Sequence, residues 1–430
     1  MEVDLLIENG RVIDPANNLD GQLKVAINNG KILAVGENLD FKPREIFDAS
    51  GCLVTPGLID AHVHCYEYAT PISINADDCC LARGVTTVID AGSSGATTFM
   101  GLRKYVVERS KTRVKCLLHI ALHGLAASGC SAGAGGGESD TLAVLDEDAC
   151  AQCINYNRDV IVGVKVRLSL DVCNMGKTEN EAFRRALAVA ERCSVPLMTH
   201  HSVSTVPTQK SLDPKATFGC PGDLRAGDIY THTFHGYPNT IIDVNTGQVH
   251  SDVIDARSRG VLFDVGHGAG AMNWTVAELA TSQNFFPDML GSDLHLVNKD
   301  GPAYDLPTVM TKFLHLGMPL VDIINSVTSS PAKAYGIETE TGSLTKGLSA
   351  DVTVLKIEEC DVMLEDSVGQ TRNVRQRIKP IAVWREGEQI KVTVPVLWPN
   401  PDSIEKSLRQ KSRQEINDDI AAGYEPRVSK

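Results

Sequence analysis

Gly57-Leu58-Ile59-Asp60-Ala61-His62-Val63-His64 is the stretch on which the reading of this chain turns. It follows Val54-Thr55-Pro56-Gly57, a proline-glycine break that separates one element from the next. Leu58, Ile59, Ala61 and Val63 make a short apolar run, as expected of a core strand with both faces buried. Asp60 and His62 interrupt it, and polar residues in such a strand need partners. Residues i and i+2 of a strand share a face, so His62 and His64 can grip one metal ion together. With 12 histidines in 430 residues, the pair alone is weak. Its place at the end of a buried strand points to metal-dependent hydrolytic chemistry, provided that other strands supply the missing ligands.

Size and charge narrow the classes. A chain of 430 residues suits a large barrel with a smaller domain. The net charge of −13 and a pI near 5.4 argue against a nucleic-acid or anionic-membrane surface. A small-molecule substrate is expected instead. Met1-Glu2-Val3-Asp4 carries no basic signal region, and no apolar stretch approaches the length of a membrane span. The 12 cysteines are scattered and include the adjacent pair Cys79-Cys80. That pattern reads as reduced thiols in a cytoplasmic protein. Cys150-Ala151-Gln152-Cys153 is a lone C-x-x-C in a helical stretch, with no second pair to complete a zinc site.

The ends of the chain read as β structure. Leu5-Leu6-Ile7, residues 10–13, 23–27 and 31–36 alternate with turn signals such as Asn28-Asn29-Gly30. The same texture returns at residues 351–355 and 381–387. The middle alternates strand and helix. Residues 86–90, 115–121, 161–167, 196–200 and 262–265 read as strands, and Glu179 to Cys193 carries helical periodicity. The expected organisation is a β unit at 1–54, a barrel at 55–340, a second β portion at 341–395 and a charged extension at 396–430. Repeated βα units predict an α/β fold of the TIM-barrel type, with functional groups at the C-terminal ends of strands. Residues 131–138, rich in glycine, lack the Gly-Lys-Ser/Thr ending of a phosphate loop and read as a loop over the barrel mouth. The charged tail from Pro399 is an exposed extension or an oligomer arm, and a homo-oligomer is expected.

Those strand ends carry a run of candidate ligands. Lys165 closes an apolar strand, where lysine is rare. Burial lowers a lysine's pKa, and a neutral amine can add carbon dioxide to become an anionic carbamate able to bridge two metals. His200-His201 offers one ligand, because adjacent strand residues face opposite sides. Thr231-His232-Thr233-Phe234-His235-Gly236 offers a choice between His232 and His235. Leu290-Gly291-Ser292-Asp293-Leu294-His295 ends the series with Asp293 and His295 on one face. Arg167, two residues beyond Lys165, either forks onto a substrate carboxylate or holds a neighbouring acid. His267 in Gly266-His267-Gly268 and His295 are candidate substrate contacts, and His235 a supporting group.

Residues 56–64, 84–93, 163–167, 231–236, 263–268 and 292–295 together resemble the amidohydrolase superfamily, nearest its deacetylase or D-aminoacylase-like branch. The likeness spans residues 1 to about 395. It implies a distorted TIM (β/α)8 barrel with a small composite β-sandwich domain built from both chain ends. It also implies His62 and His64 as ligands of one metal and Lys165 as the carbamylated bridge. His200 and His232 become ligands of a second metal, and Asp293 the last ligand and proton shuttle. Two divalent ions, zinc by preference, and carbon dioxide held on Lys165 are the expected cofactors. The implied activity is hydrolysis of an acyl amide or ester of a small carboxylate-bearing molecule. The alternatives are ring opening of a cyclic amide, as in dihydroorotases and hydantoinases, and a non-catalytic scaffold.

Overall fold

The computed structural model describes residues 1–126 and 136–397. Most of the glycine-rich stretch and the charged tail from Pro399 lie outside the described residues. Seven consecutive parallel strands form the central sheet: Leu58–Val63, Val85–Gly95, Arg113–His119, Ile161–Leu168, Leu197–His201, Ile229–Thr231 and Leu262–Phe263. Every residue of the first two is buried, which explains why they read as apolar runs rather than alternating ones. The eighth position is filled by an irregular segment. Asp264 bridges to Met289 and Val63 to Leu294, both in parallel sense. His267 N donates to the Gly291 carbonyl at 3.1 Å and His64 N to the Leu294 carbonyl at 3.0 Å. Residues 289–294 thus join the last strand to the first and close a distorted barrel.

A long helix covers the barrel where the sequence periodicity places it. Glu179–Cys193 buries Ala182, Phe183, Ala186, Val189, Ala190 and Cys193, a stripe at helical spacing. Glu179 and Glu181 lie in its first turn, and Ser194 ends it in the left-handed conformation. The C-x-x-C lies in the helix Glu147–Tyr156, where burial pushes the Cys153 thiol up to about 11.

The chain ends meet in two further sheets. Leu53–Pro56 pairs with Val352–Glu365, and Arg11–Asp14 pairs with Leu53–Pro56, so strands from both ends share one sheet of six. Glu2–Glu8, Lys24–Asn28, Lys31–Gly36 and Lys42–Asp48 form the other, of four. Leu5, Ile7, Val25 and Ile27 pack against Val352, Val354, Ala382 and Trp384 in a common core. Phe47 meets Trp384 edge-on at 4.9 Å. The proline-glycine break turns out to be the end of a strand followed by a close crossing. A side chain at Gly57 would run into Thr86 and Asp351.

Candidate metal centre

The ligand candidates come from several strand ends and from the irregular segment 289–294, and converge at the C-terminal mouth of the barrel. Nitrogens of His62 and His232 and an oxygen of Asp293 lie within 4.8 Å of one another. Asp293 Oδ1 is 3.4 Å from His62 Nε2 and 3.2 Å from His64 Nε2. Lys165 Nζ approaches His62 Nε2 to 3.4 Å. The His200 ring packs on the His232 ring, with centroids 4.3 Å apart.

The far nitrogens of three imidazoles are already engaged. His62 Nδ1 meets Asp264 Oδ2 at 3.1 Å and Thr231 Oγ1 at 3.0 Å. His64 Nδ1 meets Ser93 Oγ at 2.9 Å, and His232 Nδ1 donates to the Gly266 carbonyl at 2.7 Å. Such partners fix the orientation of ligating histidines and leave the three Nε2 atoms for the site. Asp60 and Asp90 act one step further out. Asp60 accepts from Ser292 N at 2.9 Å and from the Ser292 hydroxyl, next to Asp293. Asp90 accepts from Cys65 N at 2.9 Å and Ser93 N at 2.8 Å.

Electrostatics favour metal-binding forms. Burial, assisted by the Lys165 charge, holds His62 well below its ordinary value, and burial brings His232 to about 3. His200 is likewise held far down by burial and by His232. Neutral imidazole is the form that ligates. Burial pushes the Asp293 carboxyl up, but His62, His64 and His295 outweigh it and hold it well below the usual carboxylate range. Burial brings the Lys165 amine down to about 8. The fit to a cation rests on a specific atom. Asp293 Oδ1 is buried and receives no hydrogen bond, yet it faces two imidazole nitrogens. A divalent ion would satisfy this set of N and O donors. Asp293 and His232 also adopt left-handed backbone, with φ of 46° and 62°, a conformation that surroundings must hold in place.

The structure places the paired candidates differently. His201 spends Nδ1 on the Tyr230 hydroxyl at 3.1 Å and Nε2 on the Val206 carbonyl at 2.8 Å, while the His200 ring lies against that of His232 and its Nε2 meets Ser202 Oγ at 3.1 Å. His235 packs beside Tyr237 while His232 enters the cluster. Arg167 lies 3.3 Å from the buried Glu138 carboxylate. His267 has both ring nitrogens engaged, by Lys312 and by the Gly268 carbonyl. His295 stands with its ring 6.5 Å from that of His64, at the rim. Sequence reasoning passed over His119, which stands in register with Lys165 at the end of the third strand. It also passed over Glu138, Ser93, Asp264 and Lys312. A lysine inside the apolar helix Leu306–His315 was the one readable signal among them.

Comparison with known proteins finds relatives for most of the chain. The amidohydrolase family model matches residues 252–394. A deacetylase of Agrobacterium fabrum is 31% identical over 358 residues, covering 82% of each chain. A deacetylase of Enterococcus faecalis is 32% identical over 384 residues, 89% of this chain and 97% of that one. The crystal structure of an adenine deaminase superposes with a TM-score of 0.80 at 31% identity, covering 90% of this chain and 99% of that one. That of a dihydroorotase gives a TM-score of 0.78 at 28% identity over 91% and 99%. Matching relatives across most of their length, with the barrel and the clustered histidines in place, this chain belongs to the amidohydrolase family.

Proposed function

We propose that this protein is a metal-dependent hydrolase that removes an acyl group, such as acetyl, from a small molecule by cleaving a C–N bond. Similarity to two deacetylases over most of the chain supports the reaction class. The observation that carries the mechanism is the buried Asp293 carboxylate facing two imidazole nitrogens. In this reading His62 and His64 hold one divalent ion, and His200 and His232 a second. Lys165, as a carbamate, and Asp293 would supply the remaining ligands. Zinc suits a site of imidazole and carboxylate donors. When bound, such ions supply a Lewis acid for the acyl oxygen and make water acidic enough to ionise near neutral pH.

The chain's own residues then carry the proton. Asp293, ionised at rest, accepts the proton of the attacking water on its carboxylate and returns it to the leaving nitrogen. An amine departs poorly as an anion, so this return matters more for an amide than for an ester. Asp264, Ser93 and the Gly266 carbonyl keep the imidazoles aimed throughout. His295 and Arg167 stand where a substrate's polar groups would enter, with Arg167 already sharing its charge with Glu138. A carboxylate-bearing substrate would compete with Glu138 for that guanidinium.

Similarity to a dihydroorotase structure keeps a second reading, hydrolytic ring opening of a cyclic amide. A panel of N-acetyl amino acids of both hands, acetylated hydroxy acids and cyclic imides separates the two. Turnover of acetylated compounds with inert cyclic imides supports the deacylase. The reverse pattern supports ring opening, and no turnover of any kind with metal-loaded protein contradicts both.

A further inference from the structure

One buried ionisable group takes no part in that chemistry. Lys312, in the helix Leu306–His315, is completely buried. An ammonium has three donors, and each here finds an acceptor. They are His267 Nε2 at 2.7 Å, the Pro302 carbonyl at 2.9 Å and the Glu365 carbonyl at 2.5 Å. Accepting at Nε2 places the His267 proton on Nδ1, which donates to the Gly268 carbonyl at 2.9 Å. His267 and Gly268 also donate their backbone N–H groups to the Gly291 and Ser292 carbonyls, at 3.1 and 3.0 Å. The loop Gly266-His267-Gly268 is therefore tied on one side to the segment that carries Asp293. On the other side it is tied, through one imidazole, to Lys312.

That loop touches three of the candidate ligands. The Gly266 carbonyl orients His232. A Cβ at Gly266 would stand 2.9 Å from His232 Nδ1 and 3.1 Å from His62 Nδ1. A Cβ at Gly268 would stand 2.5 Å from Asp293 Oδ2. Gly266, Gly268, His232 and Asp293 all have positive φ, between 46° and 62°. At His232 and Asp293, which are not glycines, a backbone of this kind persists only where its surroundings over-determine it.

We propose that Lys312 is a positioning residue: it pins the Gly266-His267-Gly268 loop, and through it holds His232, His62 and Asp293 in their metal-binding arrangement. The inference rests on the metal-site reading above. It also gives the long C-terminal hairpin a part in the site. Glu365 closes the strand Val352–Glu365, and its carbonyl is one of the three acceptors. Asp366 Oδ2 accepts from Trp274 N at 2.9 Å, and Ser367 N donates to the Met272 carbonyl at 2.9 Å. The hairpin is thereby docked onto the segment that follows the pinned loop.

The test is zinc affinity of the demetallated full chain, by competition with a chromophoric chelator, alongside the melting temperature of each variant. Lys312→Met and His267→Phe are expected to weaken zinc binding about ten- to a hundredfold, as loss of an outer partner of ligating residues does. Tyr304→Phe removes the neighbouring hydrogen bond to Glu365 Oε1 at 2.6 Å and is expected to leave zinc affinity at the wild-type value. A folded Lys312→Met that binds zinc as wild type does overturns the proposal while leaving the metal site standing. So does an equal loss in Tyr304→Phe, which would mean that loosening the hairpin suffices. Should Lys312→Met fail to fold, His267→Phe decides by the same two outcomes. A wild type that binds no zinc overturns the metal-site reading along with this proposal.

Discussion

Three imidazoles at the barrel mouth are aimed by what their distant nitrogens touch: Asp264 and Thr231 for His62, Ser93 for His64, and the Gly266 carbonyl for His232. The sequence made the ligand candidates legible because His62 and His64 close one apolar strand, and Lys165 and His200 lie near the ends of others. It did not reveal their supports, because Ser93, Asp264 and Gly266 gain meaning only when non-adjacent strands come together. Nor could spacing choose between His200 and His201; the structure turns His201 toward Tyr230 and Val206 and His200 toward His232. The sharpest consequence at this scale concerns Asp293. Asp293→Asn keeps size and removes the proton acceptor, so kcat is expected to fall by about a thousandfold, within the range for general acid–base groups. Thermal melting should stay near the wild-type value. Steady-state kinetics on metal-loaded variant and wild type measure this, and unchanged turnover would remove the shuttle role from Asp293.

Elements explain where the sequence reading stopped short. Most core strands were readable as apolar runs, though not the three-residue Ile229–Thr231, and the helix Glu179–Cys193 as a periodic one. The eighth barrel position was not, because residues 289–294 hold their place by two isolated bridges and scattered bonds rather than by a regular ladder. Glycine matters at this scale where strands and side chains cross closely. Gly92 has a φ of 90°, and a Cβ there would stand 2.7 Å from Lys165 Cβ and Cγ. Gly92→Ala should therefore cost stability by about 1–3 kcal/mol, from overpacking and an unfavourable backbone. It should also displace Lys165. Chemical denaturation and metal analysis of the same preparation check both effects, and a variant as stable as wild type with full metal content would refute the crowding argument.

Across the whole molecule, two features follow from the way the chain ends and the barrel are joined. Pairing of Leu53–Pro56 with Val352–Glu365 builds one domain from two distant segments, and the β texture at both ends of the sequence had suggested it. Burial of many neutral histidines makes the fold sensitive to acid. His201, away from the proposed ligands, is brought by burial from an ordinary 6.5 to about 4. The unfolded chain then binds more protons than the folded one between those values. Stability contributed by His201 is complete above pH 6.5 and is lost as pH falls toward 4, by about 3 kcal/mol. His232 and His295, at about 3 and about 4, act in the same direction. Denaturation midpoints of the metal-free protein across this range should fall steeply, and His201→Gln should make the fall shallower. A variant with an unchanged acid limb would contradict the assignment.

Elemental analysis of purified wild type and Lys165→Ala decides whether the proposed two-ion site, with Lys165 among its ligands, exists. About two zinc-like ions per folded wild-type chain, with a clear drop in the variant, is the expected result for a carbamate-bridged pair. A folded wild type that carries no metal and takes none from added zinc, or a Lys165→Ala protein with undiminished content, would contradict it.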